Sequence, residues 1–242
     1  MGNVYDQYAQ GGGVSRAGLL IQADGKIGGH RSVFVGLTGT KNGLVYPPIG
    51  GIIVNPFKGK AKAFAGDLCE YKIDGTVKIL KTYQVGVAAG STDTSVKIAR
   101  DGYKHIPFVG DVLMKAPATI TGTGTAVTVT AVSATTDNGN EVWVLTLSST
   151  LGALAVGDIL VEAAEAGSGK KMMVQNPNAF FDADNDFFFD PNADGDEYHK
   201  ARYTYTPALA NEDTKLVIAK MSPAPACVLA LNKSLVEVWF NL

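Results

Sequence analysis

Reactive and metal-ligating side chains are scarce in this chain of 242 residues, which holds only two cysteines and three histidines. Two cysteines are too few to staple a small secreted scaffold. Cys69 and Cys227 both sit in apolar runs (Asp-Leu-Cys-Glu-Tyr and Ala-Cys-Val-Leu-Ala), where a thiol serves as a small core hydrophobe. His30, His105 and His199 share no metal-ligand spacing. The chain lacks a Gly-x-Ser-x-Gly nucleophile elbow. The stretch Gly167-Ser168-Gly169-Lys170-Lys171 departs from a phosphate loop, with Ala164 at the first glycine and Lys171 at the Ser/Thr, and reads as a flexible turn. An enzyme is therefore not expected. Charge is also low, at 18% of residues and a net −2, with no basic stripe interleaved with aromatics. Nucleic acid is not an expected partner. No apolar run approaches the length of a membrane span, so no membrane partner is expected. The first apolar run, Gly18-Leu19-Leu20-Ile21, is too short for a secretory leader, and Asp6 stands where a myristoylation signal needs Ser or Thr. Synthesis and folding in a cytoplasm are the expectation. Amphipathic helices longer than about three turns are missing too.

What the chain does contain is strand text. From residue 18 to about 175, short apolar runs rich in β-branched residues alternate with Gly, Pro, Asn and Asp. Ser32–Leu37, Gly51–Val54, Thr76–Tyr83 and Thr94–Ile98 are examples. Eight of the nineteen residues from Ala118 to Thr136 are threonine, which suits strands and resists helix. The run Ala126–Thr130 is expected to pair with Val142–Leu147 as a hairpin, because Asn138-Gly139 between them supplies the positive φ angles of a tight turn. The expected fold class is all-β, with small barrel or sandwich modules in tandem and little helix. Three segments are expected: a glycine-hinged arm over 1–17 that is a candidate anchor, a β-rich domain over 18–175, and a C-terminal β region over 176–242. In the last, Lys215–Ala219, Cys227–Leu231 and Leu235–Phe240 read as strands.

A repeat runs through the central domain. Gly-Asp followed by apolar residues occurs at Gly66-Asp67, Gly110-Asp111 and Gly157-Asp158, at intervals of 44 and 47 residues. Glycine tolerates the turn, and the aspartate can bond the local backbone before the chain enters a buried strand. The alternative is that Gly-Asp is simply common in turns. The similar spacing favours repeated β modules.

One segment changes character. Residues 180–197 carry seven acids, no base and five phenylalanines. Asp190, Asn192, Asp194 and Asp196, with Gly195 between the last two, match the first half of a calcium loop, in which alternate residues turn oxygen ligands inwards. Ala201 occupies the place of the closing glutamate, and in the upstream array Asp182, Asp184, Asp186 the glycine is replaced by Phe187. These residues are a candidate structural Ca2+ site. The competing reading is a solvated acidic loop, or one that pairs with the basic excess of residues 58–104 (nine Lys or Arg against five acids) on a neighbouring subunit. Phe180, Phe181, Phe187, Phe188 and Phe189 are candidate interface residues, because apolar clusters on a surface loop usually mark a contact.

The run from Phe64-Ala-Gly-Asp-Leu68 through Leu80-Lys-Thr-Tyr83, then Phe108-Val-Gly-Asp-Val112 and Leu151–Ala164, resembles head fibre proteins of tailed bacteriophages, particularly those of gut Bacteroidales, including crAss-like phages. The likeness covers roughly residues 60–175. It implies a virion component, a dimeric or trimeric spike or decoration fixed to capsid proteins on the outer face of a phage head, with no catalytic residues to carry over. Two readings of other classes stand beside it. One is a calcium-dependent adhesin that binds host-surface glycans through residues 182–197. The other is a polysaccharide hydrolase using carboxylates such as Asp184 and Asp194 as acid and base. A shell-building coat subunit is disfavoured by the missing spine helix.

Overall fold

The computed structural model describes residues 51–181 apart from 56, 58, 65–66, 73 and 102–103, the strands 185–189, 204–205 and 208–209, and residues 222–231. The fold is all-β. Its strands are β1 (Gly51–Ile53), β2 (Gly59–Ala63), β3 (Leu68–Tyr71), β4 (Thr76–Ile79), β5 (Thr82–Val87), β6 (Ser95–Ala99), β7 (Val112–Lys115), β8 (Gly124–Asp137), β9 (Asn140–Leu147) and β10 (Ile159–Glu162). They are followed by β11 (Gly167–Lys170), β12 (Ala179–Phe180), β13 (Asn185–Phe189), β14 (Thr204–Tyr205) and β15 (Ala208–Leu209).

Six of these strands close on themselves. Antiparallel pairing runs β5 to β6, β6 to β9, β9 to β8, β8 to β7, β7 to β10 and β10 back to β5, so the ring has no open seam. Tyr83, Val85, Val96, Ile98, Leu113, Val127, Val129, Leu145, Leu147 and Leu160 fill its interior. Alternation along β7 and β10 decides which cluster each residue joins. Leu113 and Leu160 point into the barrel, while their neighbours Met114 and Val161 pack on its outside with Leu68, Leu80, Met172 and Val174. Both faces of these two strands are therefore covered, which explains why Val112-Leu113-Met114 and Ile159-Leu160-Val161 read as unbroken apolar runs.

The barrel is nested inside a second sheet, in the order β14-β1-β4-β3-β12-β15. Its strands come from before residue 80 and after residue 178, so the chain leaves the sheet at Ile79, builds the barrel, and returns. Near residue 175, Val174 packs in one core with Leu68, Cys227 and Val228. Glu70 accepts the backbone N–H groups of Gln175 and Asn176 at 2.9 and 3.0 Å. Asn178 bonds both the N–H and the carbonyl of Tyr71. These side chains clamp the returning segment onto β3.

The stretch Cys227–Leu231, expected as strand, is instead a short helix, α1 (Ala226–Leu231). A brief apolar run does not by itself separate helix from strand. Here the carbonyl of Pro225 accepts the N–H groups of Val228 and Leu229, which starts a helical turn. No helix among the described residues is long and apolar enough to cross a membrane. Ser32–Leu37, Lys215–Ala219, Leu235–Phe240 and the arm over 1–17 lie outside the described residues.

The hairpin forms, in a register set by its turn. Asn138 (φ 49°) and Gly139 (φ 83°) make the two-residue loop, which fixes Asp137 opposite Asn140. Val142–Leu147 thus face Val129–Thr135, and the expected partner Ala126–Thr130 is largely taken by β7. A Cβ built on Gly139 meets nothing within 4 Å. Gly139→Ala should therefore cost only the strain of a left-handed alanine, about 1–2 kcal/mol, measurable by urea denaturation.

Cys69 is fully buried, and burial pushes its thiol well above the ordinary cysteine range, with the nearby Asp67 carboxylate adding to the effect. Cys227 is raised by burial as well. Both are unpaired. The folded chain should be inert to Ellman's reagent and yield two thiols in denaturant; a native-state burst would contradict this packing.

Candidate functional site

The Gly-Asp repeat is the first local feature to build the site. Asp67, Asp111 and Asp158 each donate their backbone N–H to the carbonyl three residues back, at 3.0, 3.1 and 3.1 Å. Each also accepts that residue's N–H on Oδ2, from Phe64 at 2.7 Å, Phe108 at 2.8 Å and Ala155 at 2.8 Å. Gly110 and Gly157 take φ of 89° and 91°, as the third position of a type II turn requires. Each aspartate then leads directly into a strand, β3, β7 or β10. The aspartate hydrogen bonds are equivalent but the strands are not, since β3 lies in the open sheet and the other two are neighbours in the barrel. Asp93 repeats the reciprocal pair with Gly90, at 2.6 Å to the side chain and 3.2 Å to the backbone, without a Gly-Asp dipeptide to reveal it.

The three turns differ in what else their carboxylates meet. Asp158 accepts a hydrogen bond from Lys115 at 2.6 Å near the surface. Asp111 accepts one from the buried hydroxyl of Tyr83 at 3.3 Å, and burial followed by the Asp111 charge pushes that hydroxyl far above its usual range. Asp67 is buried against His105, with Oδ2 2.8 Å from Nε2. Ser222 Oγ lies 3.2 Å from the same nitrogen. Phe57, Phe64 and Tyr83 surround the imidazole, with ring centroids 5.0, 6.3 and 6.4 Å away.

Asp, His and Ser together invite comparison with a nucleophilic triad, and the wiring excludes that role. In a triad the carboxylate and the hydroxyl hold opposite ring nitrogens, so that one lone pair faces the serine. Here Asp67 and Ser222 crowd the same nitrogen, while Nδ1 accepts the backbone N–H of Thr82 at 3.0 Å. With its acceptor nitrogen occupied, the ring carries its proton on Nε2 and donates it to Asp67. Ser222 also hydrogen-bonds the Asp67 carboxylate. Nothing is left to deprotonate the serine. Burial works against the charged form of Asp67, but the hydrogen bonds from His105, the Ser222 hydroxyl and the Phe64 N–H outweigh it and hold the carboxyl below its ordinary range. The histidine acts as a pin: it ties the β6–β7 connection to the first residue of β5 and to the turn that opens β3.

A second polar group lies beside it. Lys81, only 3% exposed, pairs with Glu162 at 2.9 Å and stands over the Phe57 ring. Asn55 donates to Glu162 at 2.6 Å and brackets Ile79 through both its N–H and its carbonyl. These residues, with Asp111, Val54 and Met173, line a cavity of about 310 Å3 between barrel and sheet. The Lys81, Glu162 and Asn55 groups are turned towards one another. The buried side-chain atoms without a protein partner among the described residues are Asp67 Oδ1 and Thr82 Oγ1, and both residues line a cavity of about 10 Å3, room for one water at most. No family model, curated protein or solved structure matches the chain.

The sequence-derived candidates fare differently. Phe181, expected at a subunit contact, is fully buried in the chain's own core with Ile53, Phe57, Cys69 and Ile79. Phe180 lies on β12, paired with Leu68 of β3. Phe187, Phe188 and Phe189 lie on β13, which runs antiparallel to β2 with position 186 opposite 62 and 188 opposite 60. The acidic-aromatic segment thus meets lysine-bearing backbone of its own chain. Asp190, Asn192, Asp194 and Asp196 lie outside the described residues, as do Asp182 and Asp184. Among the described residues no group of three His, Cys, Asp or Glu side chains is placed to hold a metal. Sequence reading set His105 aside for want of ligand spacing, because its partners are 38 and 117 residues away.

Proposed function

We propose that the chain is a structural virion protein, a head fibre or decoration protein held on the outer face of a phage capsid, which works by self-association and surface binding and not by turnover. The observation that carries this reading is the set of matched Gly-Asp turns at Asp67, Asp111 and Asp158. They fall at the residues that bear the resemblance to head fibre proteins, and each one launches a strand. The His105 wiring points the same way, since the polar groups that look most like chemistry are spent on joining barrel to sheet. Such a protein benefits from many copies on one particle, because weak contacts then act together. No described residue favours the calcium, glycan or hydrolase readings.

Purified particles of the phage that encodes the chain provide the test. Mass spectrometry of density-banded virions should recover the chain with the shell protein, and a gold-labelled antibody should decorate intact heads. Recovery only in the soluble lysate would overturn the proposal.

A further inference from the structure

The barrel leaves one strand longer than its neighbours. On one edge β8 pairs with β7 only as far as Thr128, and the next residue, Val129, exchanges hydrogen bonds with Gly110 and Asp111. There the Gly110-Asp111 turn carries the chain away, while β8 runs on to Asp137 with β9 on its other edge. A bulge at Thr130 resets the alternation, and the Asp137–Asn140 pair fixes it. Val132, Ala134 and Thr136 therefore turn their N–H and C=O groups away from β9, and no strand among the described residues pairs with them. Val132 is half-buried, and Ser133, Ala134, Thr135 and Thr136 are exposed.

Exposed edges are ordinarily blunted by a lysine, a proline or an inward charge. From Thr128 to Thr136 the chain has none of these. We infer that this edge pairs antiparallel with the same edge of a second copy, about a two-fold axis through Ala134. In that register Ala134 faces Ala134, and Val132 faces Thr136 twice, so three pairs supply six backbone hydrogen bonds. Two-fold pairing sets each central residue opposite itself, where a charge would meet its own copy. The uncharged row from Val132 to Thr136 satisfies that condition, and its small side chains leave both faces clear. The nearest acid on the strand, Asp137, lies beyond the paired row and is held by Lys97 at 2.7 Å. The inference gives the contact for the self-association proposed above and rests on that part of it, not on attachment to a capsid.

The test is sedimentation of the full chain over a range of concentrations, with amide exchange read at Val132, Ala134 and Thr136. The wild type should dimerise, and these amides should be protected when concentrated and exchange freely when dilute. Ala134→Pro removes an outward N–H without touching the β8–β9 ladder, and should weaken the dimer by roughly tenfold or more. Ala134→Lys keeps the backbone donors and sets two ammonium groups face to face, with the same result. A wild type that stays monomeric overturns the inference, whether its edge amides exchange freely or are protected by its own chain. An oligomer indifferent to both variants overturns it while leaving self-association, and the capsid reading, standing.

Discussion

Asp67→Ala should destabilise the fold by about 3–5 kcal/mol, the usual cost of stripping one partner from a buried, charge-assisted network. The substitution strips the His105 Nε2–H, the Ser222 hydroxyl and the Phe64 N–H of their shared acceptor in a buried site beside a cavity of only about 10 Å3. The matched experiment is Asp158→Ala. It removes the same side-chain hydrogen bond of the turn and leaves the backbone one, but the carboxylate is partly exposed and its other partner, Lys115, is solvated, so about 1 kcal/mol or less is expected. Urea denaturation of both variants decides between them. Equal costs would mean that the turn alone, and not the buried network, sets the value of this aspartate.

The same residue predicts a pH dependence. The Asp67 carboxyl is held below its ordinary value in the folded chain. Its contribution is therefore fully present above the unfolded value of about 3.9, and is lost as pH falls through the folded value. Asp158 is displaced in the same direction, first by its hydrogen bond to Lys115. The stability gap between wild type and Asp67→Asn should be constant above about pH 5 and narrow progressively below about pH 4. A gap that does not change with pH would show that the carboxylate's charge is irrelevant to the fold.

Features written locally in the sequence were the ones it revealed. Asn138-Gly139 needs only its two positive φ angles to announce a hairpin, and the Gly-Asp turns close within four residues. The register around the hairpin was misjudged because the loop, not the best-looking apolar run, decides which residues face each other. Ring closure was hidden, since it depends on β5 meeting β10 and β8 meeting β9 while β7 is drawn into the same circle. Nested order was hidden for a related reason: β12 rejoins β3 across more than a hundred residues, and nothing in the composition near residue 175 records where that segment goes. His105 was invisible as a hub because its partners are a backbone N–H, one residue of a turn and a serine far along the chain. The phenylalanines of 180–189 looked exposed because acids surround them in sequence, whereas Phe181 is covered by Ile53 of β1, Ile79 of β4 and Phe57, more than a hundred residues earlier in the chain.

Leu145→Ala should cost about 3–5 kcal/mol, the upper part of the range for buried leucine truncation. Leu145 is fully buried on β9, whose two neighbours β6 and β8 are themselves fixed by the ring. An open sheet can slide to fill part of a vacated space. A closed ring holds its circumference, because every strand is bonded on both sides, so the interior collapses little and the cavity term stays high. For a chain of this size the melting temperature should fall by roughly 10 °C. The contrast lies in Val132, which packs only at the edge of the same cluster on the projecting part of β8. Val132→Ala should cost about 1 kcal/mol or less, since neighbouring solvent can occupy the gap. If the two truncations cost the same per methyl group removed, the barrel does not resist collapse, and the six strands do not form a closed ring in solution.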